Sequence, residues 1–138
     1  MTISYQSDTV PSEEDLIDLY QSVDWTEYTK DPLVLAEAVK SSLFVVTARH
    51  EGRMIGLARV VGDGLTIAYL QDILVSPDYQ RQGIGRELFR RVFQPFQGVR
   101  QKVLMTDGDD AQIAFYQSMG FSEVQDLARP ISVFVKFD

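Results

Sequence analysis

The fold is decided by the stretch Asp72-Ile-Leu-Val-Ser-Pro-Asp-Tyr-Gln-Arg-Gln-Gly-Ile-Gly85. Its first four residues end a mainly apolar run that begins at Leu65 and is typical of a strand buried on both faces. Ser76-Pro77 breaks this strand, and from Gly83 the apolar residues recur with the period of an amphipathic helix. The stretch therefore predicts a central strand, a short loop and a helix whose first turn contains two glycines.

The segments on either side complete an α+β pattern. Two apolar runs, Leu43–Ala48 and Met54–Val61, flank the polar turn Glu51-Gly52 and predict a hairpin that leads into the central strand. Further strands are predicted at 2–5, 102–106, 122–125 and 131–137, and further helices at 12–22, 31–41 and 109–119, with 24–30 as a loop. We expect one domain, 1–138, with a mixed, mostly antiparallel sheet of about six or seven strands and about four helices.

The composition bounds the class of protein. With 138 residues, of which 45% are hydrophobic and 11% aromatic, the chain has enough apolar material for one core. No apolar run approaches the roughly 20 residues that span a bilayer, and the first residues lack the features of a signal peptide. We therefore expect a soluble, cytoplasmic protein that does not act at a membrane.

Charge and residue usage argue against several chemistries. A net charge of −7 disfavours sequence-independent binding of nucleic acid, which needs clustered lysine and arginine. The acidic surface either favours cationic partners or serves only solubility. Because the chain has no cysteine and one histidine, His50, it offers no thiolate or histidine cluster for a metal. We expect neither a metal nor a nucleic-acid partner.

The predicted helix start at Gly83 and Gly85 is suited to an anion. The first N–H groups of a helix have no intrahelical partner and lie at the positive end of its dipole, so a phosphate can bind there if the backbone is accessible. A tight turn with close helix packing would explain the same two glycines. The spacing matches neither a dinucleotide-binding fingerprint nor a P-loop.

A resemblance makes this segment more specific. The pattern Gln80-x-x-Gly83-x-Gly85, after a strand ending in Val75-x-Pro77-x-Tyr79, resembles the pyrophosphate motif of the GNAT N-acetyltransferase family, and the order of elements agrees over nearly the whole chain. The resemblance implies acetyl-CoA as cosubstrate, a splayed central strand whose backbone pairs with the pantetheine arm, and a loop that holds the pyrophosphate. The residues implied are Ile73, Leu74 and Val75 in the strand, and Gln80, Arg81, Gln82, Gly83, Ile84, Gly85 and Arg86 in the loop and helix.

A second segment is similar to the same family. Residues 109–121 resemble a GNAT pattern in which an asparagine begins a helix and a tyrosine precedes a Gly-Phe pair, and here Asp109 stands where asparagine is usual. The resemblance implies a coenzyme contact at Asp109, but a carboxylate is poorly suited to contact a phosphate, and a helix cap is its alternative role. Tyr116 corresponds to the family tyrosine near the thioester sulfur. From periodicity alone, Tyr116 is equally explained as a core aromatic residue.

The resemblance implies that a primary amine attacks the thioester directly. We expect a strand-bulge N–H, that of Val75, to stabilise the developing oxyanion, and Tyr116 to protonate the departing thiolate. Asp72 is the candidate general base and faces the amine in this interpretation. Its alternative role is to pair with an arginine such as Arg59, and relay of the proton through water is equally open. His50 is expected to be a surface residue.

The acceptor is expected to contact the loop between the first two helices. Trp25 and Tyr28 can stack on an aromatic or cationic amine, and a core role explains Trp25 equally well. We expect a small-molecule amine, with protein or peptide amines as an alternative. Other classes stay open: an acyl-CoA sensor, an inactive GNAT domain, or a nucleotide-phosphate module. The apolar segment 131–137 would be an adhesive strand, which favours a homodimer.

Overall fold

The hairpin predicted around Glu51-Gly52 lies at the centre of the observed sheet. In the computed structural model, which describes residues 2–138, the strand order is β1-β2-β3-β4-β5. The first four strands pair antiparallel and β5 pairs parallel with β4. The strands are β1 (Ser4–Ser7), β2 (Phe44–His50), β3 (Arg53–Val61), β4 (Ile67–Val75) and β5 (Gln101–Leu104). The mixed, mostly antiparallel sheet is therefore confirmed, with five strands in the described residues.

The described residues form two compact units, one up to Leu104 and one comprising Met105–Asp138. The first unit holds the sheet and four helices: α1 (Glu13–Ser22), α2 (Thr26–Thr29), α3 (Pro32–Lys40) and α4 (Ile84–Phe93). The second holds α5 (Asp110–Ser118). Ser12, Asp31 and Asp109 cap α1, α3 and α5 through their side chains, as their positions in the sequence predict.

Helices cover both faces of the sheet. On one face, α1 and α3 pack on the strands through a buried cluster that includes Leu19, Leu35 and Leu57. Gly56, next to Leu57 in β3, faces the opposite side, where a Cβ at this position would lie 2.9 Å from Leu88 Cδ1 of α4. This close approach fixes α4 against the end of the sheet at which the candidate site lies.

Two predictions about secondary structure are wrong. Residues 24–30 were expected to be a loop, but Thr26–Thr29 form the short helix α2. Trp25 and Tyr28, three residues apart, both pack on the ring of Tyr20, so tertiary contacts stabilise a turn that the local sequence pattern does not indicate. The chain therefore has five α-helices in its described part rather than about four.

The second wrong prediction concerns the two strands expected at 122–125 and 131–137, which are absent from the described residues. Residues 122–125 contribute to a short 3₁₀ turn at Val124–Asp126, and 127–138 form no regular element. Phe134 and Phe137 are 91% and 82% exposed. Alternating apolar residues give this segment strand propensity, but a strand forms only where a neighbouring strand accepts its backbone hydrogen bonds, and the second unit contains no other strand.

Candidate functional site

The strand β4 leaves its neighbour β5 halfway along its length. Pairing between the two strands runs from Ile67 with Gln101 to Leu70 with Leu104 and stops there. On its other side, β4 pairs with β3, and the register of this pairing shifts by one residue. Arg59 pairs with Asp72, but the next residue, Val60, pairs with Leu70. Gln71 is therefore the extra residue of a β-bulge. The splay predicted for the central strand thus begins at this bulge.

Beyond the bulge, alternate backbone groups of β4 point away from β3. The N–H of Ser76 donates to the carbonyl oxygen of Ile55 at 2.8 Å, and in an antiparallel ladder the residues that pair in this way alternate. The backbone groups of Leu74 therefore face β3, whereas those of Ile73 and Val75 face the side on which β5 has ended. Ile73 and Val75 fit the predicted role of pairing with an extended ligand arm, and Leu74 does not.

Val75 retains a donor on this open side. Its carbonyl oxygen accepts a hydrogen bond from Gln80 Nε2 at 3.0 Å, so its N–H is the group that can be offered to a ligand. The prediction that Val75 is the strand-bulge residue is wrong, since the bulge lies at Gln71, four positions earlier. A bulge is set by the pairing of two strands, and the sequence of one strand does not reveal its position.

The loop between β4 and α4 turns sharply into the helix. A 3₁₀ turn at Pro77–Tyr79 is followed by Arg81 and Gly83 with φ of 64° and 82°, and Gly83 is the N-cap of α4. Glu87 donates the first intrahelical hydrogen bond, to the carbonyl oxygen of Gly83 at 3.1 Å. The N–H groups of Ile84 and Gly85 precede that bond, so they are the backbone donors that the sequence predicts for an anion.

The two glycines of this turn serve different purposes. The left-handed φ of Gly83 would strain any L-residue, so its conformation alone explains the glycine. Gly85 has no such constraint, and a Cβ built on it would meet only Val75 Cγ2, at the ordinary contact distance of 3.9 Å. Packing within the chain therefore does not explain Gly85, whereas a ligand that approaches the helix backbone would.

Positive charge flanks the turn. Gln80, Arg81, Gln82 and Arg86 are exposed, and two of them are arginines. A guanidinium is weakly hydrated and its planar group of donors matches a phosphate, so Arg81 and Arg86 are suited to approach one. The turn thus brings together every loop residue that the sequence predicts for the coenzyme.

A buried cluster lies beside the bulge and is built on Asp72. Its Oδ2 accepts from Arg59 Nε at 2.6 Å and from the Tyr20 hydroxyl at 2.9 Å, and its Oδ1 accepts from the Tyr28 hydroxyl at 2.8 Å. The side chains of Arg59 and Asp72 are only 5% and 2% exposed. We refer to Asp72, Arg59, Tyr20 and Tyr28 as the carboxylate cluster.

The geometry assigns Asp72 to the alternative role that the sequence left open. Its charge is paired with Arg59, and both of its oxygens accept hydrogen bonds from the protein. Burial raises the pKa of Tyr20 well above its usual value and also raises that of Tyr28, and the Asp72 charge acts in the same direction on both. Both phenols therefore stay protonated and donate to Asp72. Asp72 is a structural partner in this arrangement rather than a base.

The aromatic residues predicted for the acceptor lie next to this cluster. The ring centroids of Trp25 and Tyr28 are 6.0 Å apart, and both rings contact Tyr20, which is fully buried. Trp25 and Tyr28 remain partly exposed. Gln71 Nε2 donates to the Tyr28 hydroxyl at 3.2 Å, which links this pair to the bulge. The partner of the Tyr20 hydroxyl, Asp72, lies 52 residues away in the sequence, so the sequence around α1 does not reveal this contact.

The second unit holds the other two candidates. Asp109 caps α5 by accepting from the Gln112 N–H at 2.9 Å, which is the plain role that the sequence allowed for it. Tyr116 is 8% exposed, and burial raises its pKa, although a hydrogen bond with Thr106 acts in the opposite direction. A phenol of this kind is protonated throughout the neutral range.

His50 is less exposed than its place at the hairpin end suggests. Its Nδ1 lies 2.8 Å from the hydroxyl of Tyr79, the residue before the Gln80–Arg86 turn. The two rings meet edge to face at 5.4 Å. His50 thus lies partly exposed at the end of the β2–β3 hairpin, and its contact with Tyr79 joins the loop to that end.

Among residues 2–138, no group of three or more histidine, aspartate and glutamate side chains is arranged to hold a metal ion. Within the same residues, no helix combines the length and apolar character needed to cross a membrane.

A mixed α+β sheet whose central strand splays at a bulge and leads to a glycine turn at a helix start has the arrangement that the resemblance to the GNAT family implies. The family model described as "Acetyltransferase (GNAT) domain" matches residues 40–123. The chain therefore belongs to the GNAT family of acetyltransferases, as the resemblance predicts.

Individual relatives agree with this assignment. The chain is 33% identical over 115 residues to an uncharacterized N-acetyltransferase, ycf52-like, of Prochlorococcus marinus, which covers 78% of this chain and 63% of that protein. It is 31% identical over 120 residues to histone acetyltransferase TAP1 of Glycine max, which covers 78% of this chain and 52% of that protein. The chain thus spans about half to two thirds of the length of these curated relatives.

A solved structure matches over the full length. A GNAT-family acetyltransferase from Streptococcus pneumoniae superimposes with a TM-score of 0.85 at 31% identity, covering 99% of this chain and 100% of that one. The fold class is therefore shared along the whole chain.

Proposed function

We propose that this protein transfers an acetyl group from acetyl-CoA to the primary amine of a small molecule by direct attack. The observation that carries the proposal is the coincidence of two backbone features in one segment. The N–H groups of Ile73 and Val75 face away from β3 where β5 has ended, and ten residues after Val75 the accessible helix turn contains Gly85. One ligand with an amide-containing arm and a pyrophosphate would use both.

Coenzyme binding in this proposal depends mainly on backbone groups. Ile73 would pair with the pantetheine arm, and Val75 would contact the thioester at its end. The turn from Arg81 to Arg86 would hold the pyrophosphate, with Gln80 fixing the carbonyl oxygen of Val75. The cosubstrate supplies the activated acetyl thioester. Since Val75 offers only its N–H, it would donate to the thioester carbonyl oxygen, and a preorganised donor of this kind is worth about 10²–10³ in rate.

Tyr116 would act as the acid that protonates the departing sulfur. A phenol with a pKa above about 10 facing a thiol with a pKa of about 8.5 gives up its proton against a gradient of about 2 kcal/mol or more. Short distance and fixed orientation can offset a barrier of this size. The raised pKa keeps the phenol protonated throughout the neutral range.

The amine would lose its proton to water rather than to Asp72. The carboxylate is held by Arg59, Tyr20 and Tyr28, and protonating it would leave the Arg59 charge buried without its partner. Trp25 and Tyr28 would contact the body of the acceptor.

A protein amine is the second candidate acceptor, because one relative is named a histone acetyltransferase. We favour a small molecule since the aromatic pair beside the bulge is partly buried, which suits a compact group better than an extended chain.

Two measurements test the proposal. Thermal unfolding with acetyl-CoA, ATP and NAD in parallel should show a shift for acetyl-CoA that exceeds the other two. Release of free coenzyme A should then depend on an added amine, tested with phenethylamine, spermidine and a histone-tail peptide. Stabilisation by ATP or NAD alone would indicate a nucleotide-binding module, and binding of acetyl-CoA without release on any amine would indicate a sensor or an inactive domain.

A further inference from the structure

The hydroxyl of Tyr28 occupies a distinctive position at the bulge. It donates to Asp72 Oδ1 at 2.8 Å and accepts from Gln71 Nε2, on the bulge residue itself, at 3.2 Å. Unlike Tyr20, which makes an equivalent bond to the same carboxylate but has no exposed surface, Tyr28 is partly exposed. Tyr28 is therefore the member of the carboxylate cluster that a ligand can reach.

The carboxylate cluster fixes the polarity of this hydroxyl. Asp72 is paired with Arg59 at 2.6 Å and, as a carboxylate, can only accept hydrogen bonds. The hydroxyl proton of Tyr28 is therefore donated to Asp72. Toward any other group, the hydroxyl oxygen of Tyr28 can only accept a hydrogen bond. The bond from Gln71 is at the long end of the usual range, so a better donor can replace it.

The surroundings restrict the kind of donor. The rings of Trp25 and Tyr28 form a partly exposed aromatic surface backed by Tyr20. The only carboxylate of the cluster is already neutralised by Arg59, so the cluster offers no net negative charge for a molecule with several positive groups. One ammonium group carried on an aromatic or apolar body matches both properties.

We propose that Tyr28 is the specificity-determining residue on the acceptor side: its oxygen accepts an N–H of the incoming amine, and the aromatic surface selects monoamines with an aromatic or apolar body. Asp72 and Arg59 are positioning residues that hold the Tyr28 hydroxyl in this polarity. The inference rests on the proposed acetyl transfer for its biological setting, but the binding it describes can be measured separately.

The test compares two ligands and two matched variants. Phenethylamine and phenethyltrimethylammonium share the ring and the positive charge, but only the first has N–H donors. Each is titrated with saturating coenzyme A present, and binding is followed by the fluorescence of Trp25, the only tryptophan. The variants Tyr28→Phe and Tyr20→Phe each remove one hydroxyl that donates to Asp72, and only the first removes one that a ligand can reach.

We expect Tyr28→Phe to weaken phenethylamine binding by about tenfold or more, as for loss of a hydrogen bond to a charged group, and to leave the trimethylated analogue within about twofold. Tyr20→Phe should leave both ligands within about twofold of the wild type. Equal weakening of the two ligands by Tyr28→Phe would overturn the proposal, because it would show that ring packing rather than the hydroxyl is recognised.

A third variant tests the positioning role. In Asp72→Asn, the amide oxygen remains with Arg59, so the amide nitrogen faces Tyr28 and donates to it, which turns the phenol proton outward. The affinity of Asp72→Asn for phenethylamine should then be equal to or lower than that of Tyr28→Phe. The double variant that carries both substitutions should have the same affinity as the single variant that binds phenethylamine less tightly. Additive losses would show that Asp72 does not act through Tyr28.

The outcomes separate this inference from the proposed function. If wild-type protein does not bind phenethylamine but releases coenzyme A with spermidine or the peptide, the acceptor class proposed here is wrong and the acetyl transfer stands. If phenethylamine binds through Tyr28 and no amine supports release, the binding inference stands and the acetyl transfer fails.

Discussion

Replacing Gly85 by alanine separates coenzyme binding from folding more cleanly than any other change in the chain. The added Cβ would lie 3.9 Å from Val75 Cγ2, so it meets no clash. Because glycine costs up to about 1 kcal/mol relative to alanine inside a helix, the free energy of unfolding should stay the same or rise slightly. A ligand that approaches the first turn of α4 would nevertheless meet a methyl group where the backbone was open.

The expected loss of affinity follows from the contacts at risk. Displacing a pyrophosphate from the N–H groups of Ile84 and Gly85 removes at least one hydrogen bond to a charged group, worth about 1.5–3 kcal/mol. The dissociation constant for acetyl-CoA should therefore rise between about tenfold and a hundredfold. Isothermal titration calorimetry measures this constant, and chemical denaturation measures the stability.

Two glycine variants serve as controls. Gly98 has open space around it and no left-handed φ, so Gly98→Ala should change neither affinity nor stability. Because Gly83 has a φ of 82°, Gly83→Ala should lower the free energy of unfolding by roughly 1–2 kcal/mol. If Gly85→Ala is fully folded and binds acetyl-CoA within twofold of the wild type, the pyrophosphate is not bound at this turn.

Four other outcomes are expected. Tyr116→Phe should lower kcat by about 10²–10⁴ without changing the KM for acetyl-CoA, because it removes the proton donor and nothing that binds the coenzyme in this account. The pKa of Tyr20 is raised in the folded state, so the unfolded chain loses the phenol proton at a lower pH than the folded chain does. The free energy of unfolding should therefore fall as the pH rises above about 10, and it should fall less steeply in Tyr20→Phe. Arg59→Ala should cost roughly 3–5 kcal/mol of stability because it leaves the Asp72 charge buried and unpaired. Light scattering should give the mass of a homodimer, as predicted from the apolar segment 131–137, and a monomer at all concentrations would contradict it.

Matched variants check the first three of these outcomes. Tyr5→Phe removes a phenol on the edge strand β1 and should leave kcat unchanged, so a similar loss there would mean that the Tyr116 effect is indirect. Lys30→Ala breaks the exposed pair with Glu27, whose side chain is 85% exposed, and should cost at most about 0.5 kcal/mol. If Tyr20→Phe and the wild type lose stability equally at high pH, the raised pKa of Tyr20 is not the cause.

The donor side of the site was largely predictable because it depends on local features. A buried strand, a loop broken by Pro77 and glycines at a helix start are each visible within the single stretch 72–85. Residues 80–86 form the loop and first helical turn where the sequence predicts them, and the N–H and carbonyl groups of Leu74 face β3. Which residues of a strand face which neighbour depends on register, which one strand does not specify alone.

The acceptor side was less predictable because its contacts join distant parts of the chain. Arg59 and Asp72 are opposite each other in register, an arrangement that the sequence offered only as one alternative for Asp72. The bulge at Gln71 and the tyrosine hydroxyls that complete the carboxylate cluster come from pairing and packing across the fold. A polar tip on an otherwise apolar helix face, as at Tyr20, is the one signal in the sequence that indicates such a partner.

The secondary-structure errors have the same origin. Helix α2 forms because Trp25 and Tyr28 both pack on Tyr20 rather than because of local propensity. The segment 131–137 has the composition of a strand, but strand formation also requires a neighbouring edge. Both cases show tertiary context overriding a local pattern.

The most direct test of the central claim is to incubate the protein with acetyl-CoA labelled in its acetyl group and each amine of the panel, and to identify the products by mass spectrometry. The account predicts that at least one primary amine gains the label on its nitrogen, in amounts equal to the coenzyme A released and above an amine-free control. Tight binding of acetyl-CoA with no labelled amine in any reaction would contradict it.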